Sequence, residues 1–418
     1  MNKYYVLFYP GHYAKFRIHH RSQEFFQFLR GTKEIKNITI ITPEYVDATN
    51  LGEYINALFR RFYRPCESKI VDDKIIEVSI KKVAIPRKFR NKILNTLSFI
   101  ITYVFIDRFD VMLLKMLLRK VMKVINIKRY DAAFFTSYNS RVGIFLKKSN
   151  FFNLLIYKDH DLLANKFESD MIKHADLVVS VGEMMSKLRK CEGARQILTV
   201  PHGVNRAKIE NIKLPSYKYF DSKNLVTLIY AGSIHPNWGL ELAIKAVKCL
   251  ENKWNLKLLI VGPRETNYFT RLLVLIKNLK LENKIQFLPQ APYEQLLKTL
   301  KMGCIGLAPY PPSSPAKYAV PLKVKEYCLA GIPVVTTNLG ETGQFIKDTG
   351  IGIATNYNPE DYAKAIDTLL ANKKLYRLKS LAAIKIAKKY DWNELFKMEW
   401  RIIKQKLREV SLINNVQQ

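Results

Sequence analysis

The sequence predicts an α/β fold of doubly wound parallel sheets, and three observations carry that prediction. Apolar, β-branched runs alternate with helix-patterned segments through the second half of the chain, as parallel strands joined by crossover helices require. The runs end at glycine or proline, where strands give way to turns. Residues 321–335 join a short helix carrying one carboxylate, Glu326, to a buried strand through a glycine stop.

The elements follow in order. Met1 to Pro10 opens directly as a strand and not as a signal peptide. Asn153 to Tyr157 is an apolar strand that closes on the polar triplet Asp159, His160 and Asp161. Leu225 to Tyr230 is a strand, Gly232 to Gly239 a glycine loop, and a helix begins at Leu240. Leu256 to Val261 is a buried strand turning at Gly262 and Pro263; Lys284 to Pro289 and Cys304 to Pro309 are two more, with a helix from Tyr293 between them. Pro321 pre-sets the first turn of a helix, and Gly331 supplies the left-handed stop. Pro333 to Thr337 then reads as a buried parallel strand. In such sheets ligands sit at the carboxyl ends of the strands. The helix at 321 offers free N–H groups at its start and Glu326 about a turn further in. That suits a nucleoside diphosphate, phosphates on the helix end and ribose hydroxyls on the carboxylate. A plain surface helix holding one Glu has the same pattern.

The 418 residues predict two or three domains, and 48% hydrophobic content is enough to fill their cores. The five cysteines (Cys66, Cys191, Cys249, Cys304, Cys328) show no paired spacing, which reads as small buried hydrophobes in a reducing compartment. No zinc or redox motif is present. The net charge is +32, and residues 1–200 hold 35 Lys and Arg against 19 Asp and Glu. The basic density peaks from Lys81 to Arg129, where only Asp107 and Asp110 oppose it. Two apolar stretches lie there, Ile93 to Ile106 and Val111 to Ile127, the second broken by lysines and arginines. Neither reaches the roughly 18 clean apolar residues of a spanning helix. A basic helix with an apolar face fits an anionic membrane surface; core helices with solvated lysines are the alternative. No zinc finger, basic zipper, aromatic RNA-binding signature or GXXG clamp accompanies the charge, which argues against nucleic acid as a partner. The expected location is cytoplasmic, peripheral on the inner face of the cell membrane.

The succession of strand, glycine loop, helix and Glu-bearing helix resembles the C-terminal half of the GT-B glycosyltransferases, specifically retaining glycosyltransferase family 4. Lys173 to Val181 is similar to that family's helix, Ala-Asp, strand, Ser segment. Leu198 to Asn205 is similar to its Pro-Asn-Gly-Val-Asp turn, and Tyr390 to Phe396 to the opening of its last helices. The resemblance covers nearly the whole chain, weakly over residues 20–130. It implies two Rossmann-like domains facing across a cleft: residues 1–200 for the acceptor, a linker at 201–221, residues 222–388 for the nucleotide sugar, and a C-terminal helix (389–418) packing back on the first domain. The implied activity moves a sugar from a nucleoside-diphosphate donor, with retention, to a glycan or lipid-linked acceptor in surface polysaccharide, glycolipid or glycoprotein glycan synthesis. The competing reading is a catalytically silent GT-B subunit that binds a membrane or a partner.

The resemblance assigns residues as well. Glu326 matches the second member of the family's carboxylate pair, the one on the ribose; the first is replaced by Tyr318. Pro321, Lys323 and Glu326 match a Pro-x-Lys-x-x-Glu variant. The Arg and Lys that relatives place on the pyrophosphate are here Ser233 and Trp238. A departing diphosphate gains charge in the transition state and needs a preorganised cation. Lys323 is the candidate, with Lys317 and His235 behind it. Gly232, Gly262, Pro263, Arg264 and Leu322 complete the implied donor site. His160, oriented by Asp159 or Asp161, matches the family residue that meets donor sugar and acceptor. Gly11, His12, Tyr13 and Arg17 form the implied acceptor loop, followed by His19, His20 and Arg21, a cationic cluster able to receive a phosphate. The donor phosphate itself would take the acceptor's proton, so no dedicated base is expected. No Asp-x-Asp signature stands near the donor segment, so no metal is expected either.

Overall fold

The computed structural model describes residues 3–9, 20–46, 66–83, 107–136, 140–160, 166–208, 224–264 and 266–416. The expectations for Gly11, His12, Tyr13, Arg17, His19 and Asp161, and for the stretch Ile93 to Ile106, lie outside the described residues. The chain divides into two compact units. One comprises Met1–Ser180, Lys187–Leu198 and Phe396–Gln418; the other comprises Val181–Ser186 and Thr199–Leu395.

The first unit is built on strands β1 (Tyr4–Tyr9), β2 (Ile35–Val46), β3 (Cys66–Asp72), β4 (Ile75–Val83), β5 (Tyr130–Thr136), β6 (Phe152–Lys158), β7 (Leu177–Ser180) and β8 (Ile197–Thr199). They line up as β3-β4-β2-β1-β5-β6-β7-β8. The pairings from β4 to β7 are parallel, while β3 and β4 form an antiparallel edge hairpin. Among the described residues the helices of this part are α1 (His20–Gly31), α2 (Asp107–Val124), α3 (Ser140–Lys148), α4 (Lys166–His174) and α5 (Glu183–Cys191). The strands β5 and β6 are almost wholly buried, as parallel strands covered on both faces must be. The apolar stripe of α2, which the sequence offered to a membrane, is committed to this core. Val111, Leu114, Leu118, Val121 and Met122 are buried in one cluster with Leu7, Tyr130, Phe135 and Leu155. A helical stripe is identical for core and bilayer; the sheet beneath it decides. Arg21, expected in a cationic cluster able to receive a phosphate, is fully buried, its charge facing Glu399 and Asp159.

The second unit carries β9 (Val226–Ala231), β10 (Leu256–Val261), β11 (Ile285–Leu288), β12 (Ile305–Ala308), β13 (Val334–Thr337) and β14 (Gly352–Thr355). All pairings are parallel, in the order β11-β10-β9-β12-β13-β14. Its helices are α6 (Leu240–Leu250), α7 (Thr266–Asn278), α8 (Tyr293–Leu300), α9 (Leu322–Leu329), α10 (Gly340–Thr349), α11 (Pro359–Ala371) and α12 (Lys373–Lys389). The chain winds outward from β9 in one direction, then returns to β12 and winds in the other. The switch point between β9 and β12 is where a doubly wound sheet opens a ligand crevice. Here β9 and β12 share only the register Ile305–Leu228 and Gly306–Ile229. Beyond it two buried phenols take over from the ladder. The Tyr327 hydroxyl accepts from the Ala231 N–H (2.9 Å) and donates to the Leu307 carbonyl (3.1 Å). The Tyr362 hydroxyl accepts from the Ala308 N–H (3.1 Å) and donates to the Val335 carbonyl (2.7 Å). Backbone groups freed by the splaying strands are thereby satisfied.

The last helix, α13 (Trp392–Val416), belongs to the first unit from Phe396 onward. Phe396 lies edge-on to Phe25 and Trp400 to Tyr4, and the Trp400 indole donates to Glu34 (3.0 Å). Cys328 is buried and Cys304 half-buried, whereas Cys191 and Cys249 are exposed. No helix among the described residues is long and apolar enough to cross a membrane.

Candidate functional site at the carboxyl ends of β9 and β10

Two glycine turns meet where β9 and β10 end. The Gly232 N–H donates to the Val261 carbonyl and the Ile234 N–H to the Pro263 carbonyl, both at 2.8 Å. Gly262 sits at φ +151, and a Cβ there would lie 2.0 Å from the Gly232 carbonyl oxygen. The variant Gly262→Ala is therefore expected to lose about 2–4 kcal/mol of stability and to displace the Gly232 loop. Urea unfolding measures this, and an unchanged midpoint would mean that the two turns are free to part.

The loop continues through His235, whose Nδ1 accepts from the Asn237 N–H (3.2 Å) and so caps the turn Pro236–Trp238. Trp238 packs edge-on against Tyr310, ring centroids 5.8 Å apart. Helix α9 faces this loop. Pro321 takes the position just before its first turn, at φ −62 and ψ 150, one residue earlier than the sequence reading placed it; its ring pre-sets φ while the extended ψ leads the chain in.

All of α9 from Lys323 to Leu329 is buried, which is an unusual place for three ionisable side chains. Lys323 is 7% exposed, Lys325 1% and Glu326 6%. The Lys323 ammonium donates to the Tyr230 hydroxyl (2.9 Å), which itself donates to the Ser233 carbonyl (2.8 Å). Three rings surround the ammonium: Tyr230 at 4.1 Å, Trp238 at 4.9 Å and Tyr310 at 5.5 Å to their centroids. Gly232 is part of the same seat, since a Cβ on it would come within 2.8 Å of Lys323 Nζ. Burial pulls Lys323 down to about 7 against the pull of Glu326, and burial lifts Glu326 to about 7 against the pull of Lys323. Lys325 points elsewhere, 3.4 Å from the centroid of Phe345 and 3.2 Å from that of Tyr390. Its amine is held well below the ordinary lysine value by burial.

The structure thus gathers Gly232, Ser233, Trp238, Lys323 and Glu326, with Gly262 and Pro263 directly behind the loop. Arg264 is tied to the loop by a bridge to Ile234, but its guanidinium lies over Phe269 (4.5 Å) and Phe287 (5.9 Å). Tyr318 closes the turn Pro315–Lys317; its carbonyl accepts from the Met185 N–H (3.1 Å) and its ring lies under Lys317 Nζ at 4.7 Å. Leu322 is half-buried at the start of α9. Tyr230 and Tyr310 were missed by sequence reading: each looks like one more aromatic in an apolar strand.

In the first unit, Asp159 and His160 lie buried just beyond β6. Asp159 was expected to orient His160 as part of the catalytic set. Its carboxylate is held by Arg189, with Nε–Oδ2 at 2.7 Å and Nη2–Oδ1 at 3.0 Å. Arg189 also bridges to Glu168 (3.0 Å) and Glu192 (2.8 Å). Next to it, Lys158 forms a buried ion pair with Glu399 of α13 and lies 3.3 Å from the Phe25 ring centroid. Burial lowers Lys158 to about 7, with Glu399 opposing. Lys158 and Glu399 did carry a sequence signal, each being a charge in an otherwise apolar register. Among the described residues no group of His, Cys, Asp and Glu could hold a metal ion.

A doubly wound sheet with a glycine turn and a Glu-bearing helix at its switch point defines an α/β domain whose ligand crevice opens at the carboxyl ends of its strands. Residues 218–387 match the family Glycosyl transferases group 1, so the chain carries a domain of that family. TuaH of Bacillus subtilis (strain 168), named for teichuronic acid biosynthesis as a glycosyltransferase, is 27% identical over 234 residues, covering 55% of this chain and 57% of that relative. Among solved structures, sucrose-phosphate synthase from Thermosynechococcus elongatus matches with TM-score 0.70 at 14% identity, over 97% of this chain and 100% of that one. HepE of Anabaena in complex with UDP matches with TM-score 0.64 at 14% identity, again over 97% and 100%. The fold is GT-B.

Proposed function

We propose that this protein is a glycosyltransferase that takes a sugar from a nucleoside-diphosphate donor, with retention, and adds it to a glycan or lipid-linked acceptor of a surface polysaccharide. One observation carries the reading: the buried Lys323 ammonium sits against Tyr230 and Trp238 beside the Gly232 loop at the sheet's switch point, and the buried Glu326 lies one helical turn further along α9. The match to TuaH supports a surface polysaccharide, and the UDP-bound HepE supports a nucleotide donor. In this reading the diphosphate rests on the free N–H groups opening α9 and meets Lys323. Glu326 accepts hydrogen bonds from the ribose hydroxyls. Lys323 stands in for the loop cations replaced by Ser233 and Trp238, so the leaving group is neutralised without need of a metal. His160 is assigned to the acceptor side, and a phosphate oxygen of the donor takes the acceptor's proton as the leaving group departs.

Thermal unfolding with UDP, GDP and ADP tests the donor site. At a hundred times its dissociation constant, the cognate nucleotide should add about 2.7 kcal/mol to the stability of the wild type. Glu326→Ala should lose most of that gain. If no nucleotide raises the unfolding temperature of the wild type, the catalytically silent reading replaces this one.

A further inference from the structure

The seat of Lys323 is built around one phenol. Tyr230 is fully buried on β9, two residues before Gly232. Its hydroxyl spends its single hydrogen on the Ser233 carbonyl (2.8 Å), across the Gly232 turn. Only the lone pairs of that oxygen then remain, and they meet a donor, the Lys323 nitrogen at 2.9 Å. The bonds therefore run one way, from α9 through β9 into the loop. Between Tyr230 and Gly232, the Ala231 N–H is held by the Tyr327 hydroxyl (2.9 Å), so the strand that aims Tyr230 is itself fixed. Gly232 closes the seat: a Cβ there would lie 2.8 Å from Lys323 Nζ, 2.9 Å from its Cε and 3.5 Å from the Tyr230 hydroxyl. The nitrogen rests against the turn itself. Tyr310, another wall, is anchored by its N–H on the Ala308 carbonyl (3.0 Å) and by the Thr337 hydroxyl on its own carbonyl (2.7 Å).

We propose that Tyr230 is a positioning residue of the donor site: its hydroxyl holds Lys323 and the Gly232 turn in one fixed geometry, so that a nucleoside diphosphate meets a cation already in place. The inference rests on the donor reading and deepens it, because Tyr230 acts through Lys323. A lysine on its four-carbon stem samples many rotamers, and ordering it only on binding would cost affinity. The phenol removes that cost in advance, and a preorganised cation stabilises charge without reorganising when the charge develops. The rings of Tyr230, Trp238 and Tyr310 keep water from the ammonium while their faces attract it. Burial opposes the charged amine, and an arriving diphosphate relieves that opposition.

Calorimetric titration of the full chain with UDP, GDP and ADP at neutral pH tests this. The nucleotide that binds the wild type should bind Tyr230→Phe about tenfold more weakly, and Lys323→Met at least as weakly. Adding Tyr230→Phe to Lys323→Met should cost no more than about twofold further, because the phenol has lost the group it acts through. A merely structural role would let the two losses multiply. Tyr376→Phe removes the same kind of bond, from a buried phenol to a backbone carbonyl (Cys304, 2.8 Å), at the amino end of β12. It should leave the affinity within about twofold of wild type. Lys323→Arg tests the seat without touching Tyr230, should Tyr230→Phe not fold. It keeps the charge on a broader, planar head and should recover no more than about twofold over Lys323→Met. Wild-type affinity in Tyr230→Phe, losses that multiply, recovery by Lys323→Arg, or an equal loss in Tyr376→Phe would overturn the assignment while leaving the donor reading in place. If no nucleotide binds the wild type, the donor reading itself fails and takes this inference with it.

Discussion

Replacing Lys323 by Met and Glu326 by Gln together is expected to make the ligand-free protein more stable at neutral pH, by about 1–4 kcal/mol, while removing its response to any nucleoside diphosphate. Both groups are buried, and burial opposes the charged form of each. The pH dependence has a definite sign. Lys323 is lowered from 10.5 to about 7, so between those values the unfolded chain holds the extra proton and stability rises with pH. Glu326 is raised from 4.5 to about 7, so across that window the folded chain holds the extra proton and stability falls as pH rises. The two slopes meet near pH 7, where the cost of the pair is greatest. The advantage of the double variant should peak there and shrink on either side. Urea unfolding at about pH 5, 7 and 9 measures it. A variant less stable than wild type at neutral pH would show that the pair supports the fold and is not a strained binding device.

Arg189→Met has the opposite expectation: a loss of about 3–5 kcal/mol at pH 8, because it removes the guanidinium that bridges two buried carboxylates. Arg189 grips Asp159 with two nitrogens and also contacts Glu168, and all three side chains are at most 3% exposed. Glu168 is already lifted to about 7, chiefly by burial with Arg189 opposing. Without the guanidinium, which opposes the effect of burial, the Glu168 carboxylate should rise further. A carboxylate whose folded value lies above its unfolded one contributes stability at low pH and loses it as pH rises through the folded value. The defect should therefore shrink as pH is lowered toward about 5. In a unit of this size each kcal/mol corresponds to about 2–4 °C in the unfolding temperature. A loss below about 1 kcal/mol at pH 8 would mean that water already solvates the cluster.

Helix α9 shows how far the sequence reaches. A proline, a glycine stop and a β-branched run are local signals, and the helix and β13 lie where those signals put them because capping and turn chemistry act within a few residues. The alternation of strand and helix from Leu225 to Thr337 is likewise local, and with it came the expectation of a doubly wound parallel sheet with ligands at the carboxyl ends of its strands. The same reading could place Gly232, Trp238, Lys323 and Glu326 in one site, since the topology of a doubly wound sheet brings its βα turns to one end. It could not decide where side chains point. Lys323 entered the Tyr230–Trp238–Tyr310 cage because segments far apart in the sequence converge there and supply the Tyr230 hydroxyl as its hydrogen-bond partner. Arg189 took hold of Asp159, Arg21 went inside, and the apolar stripe of α2 turned to the sheet and left Met112 and Met116 outside. Each outcome depends on which neighbour the fold supplies, and the cost of burying a charge or an apolar face is settled only when that neighbour is present.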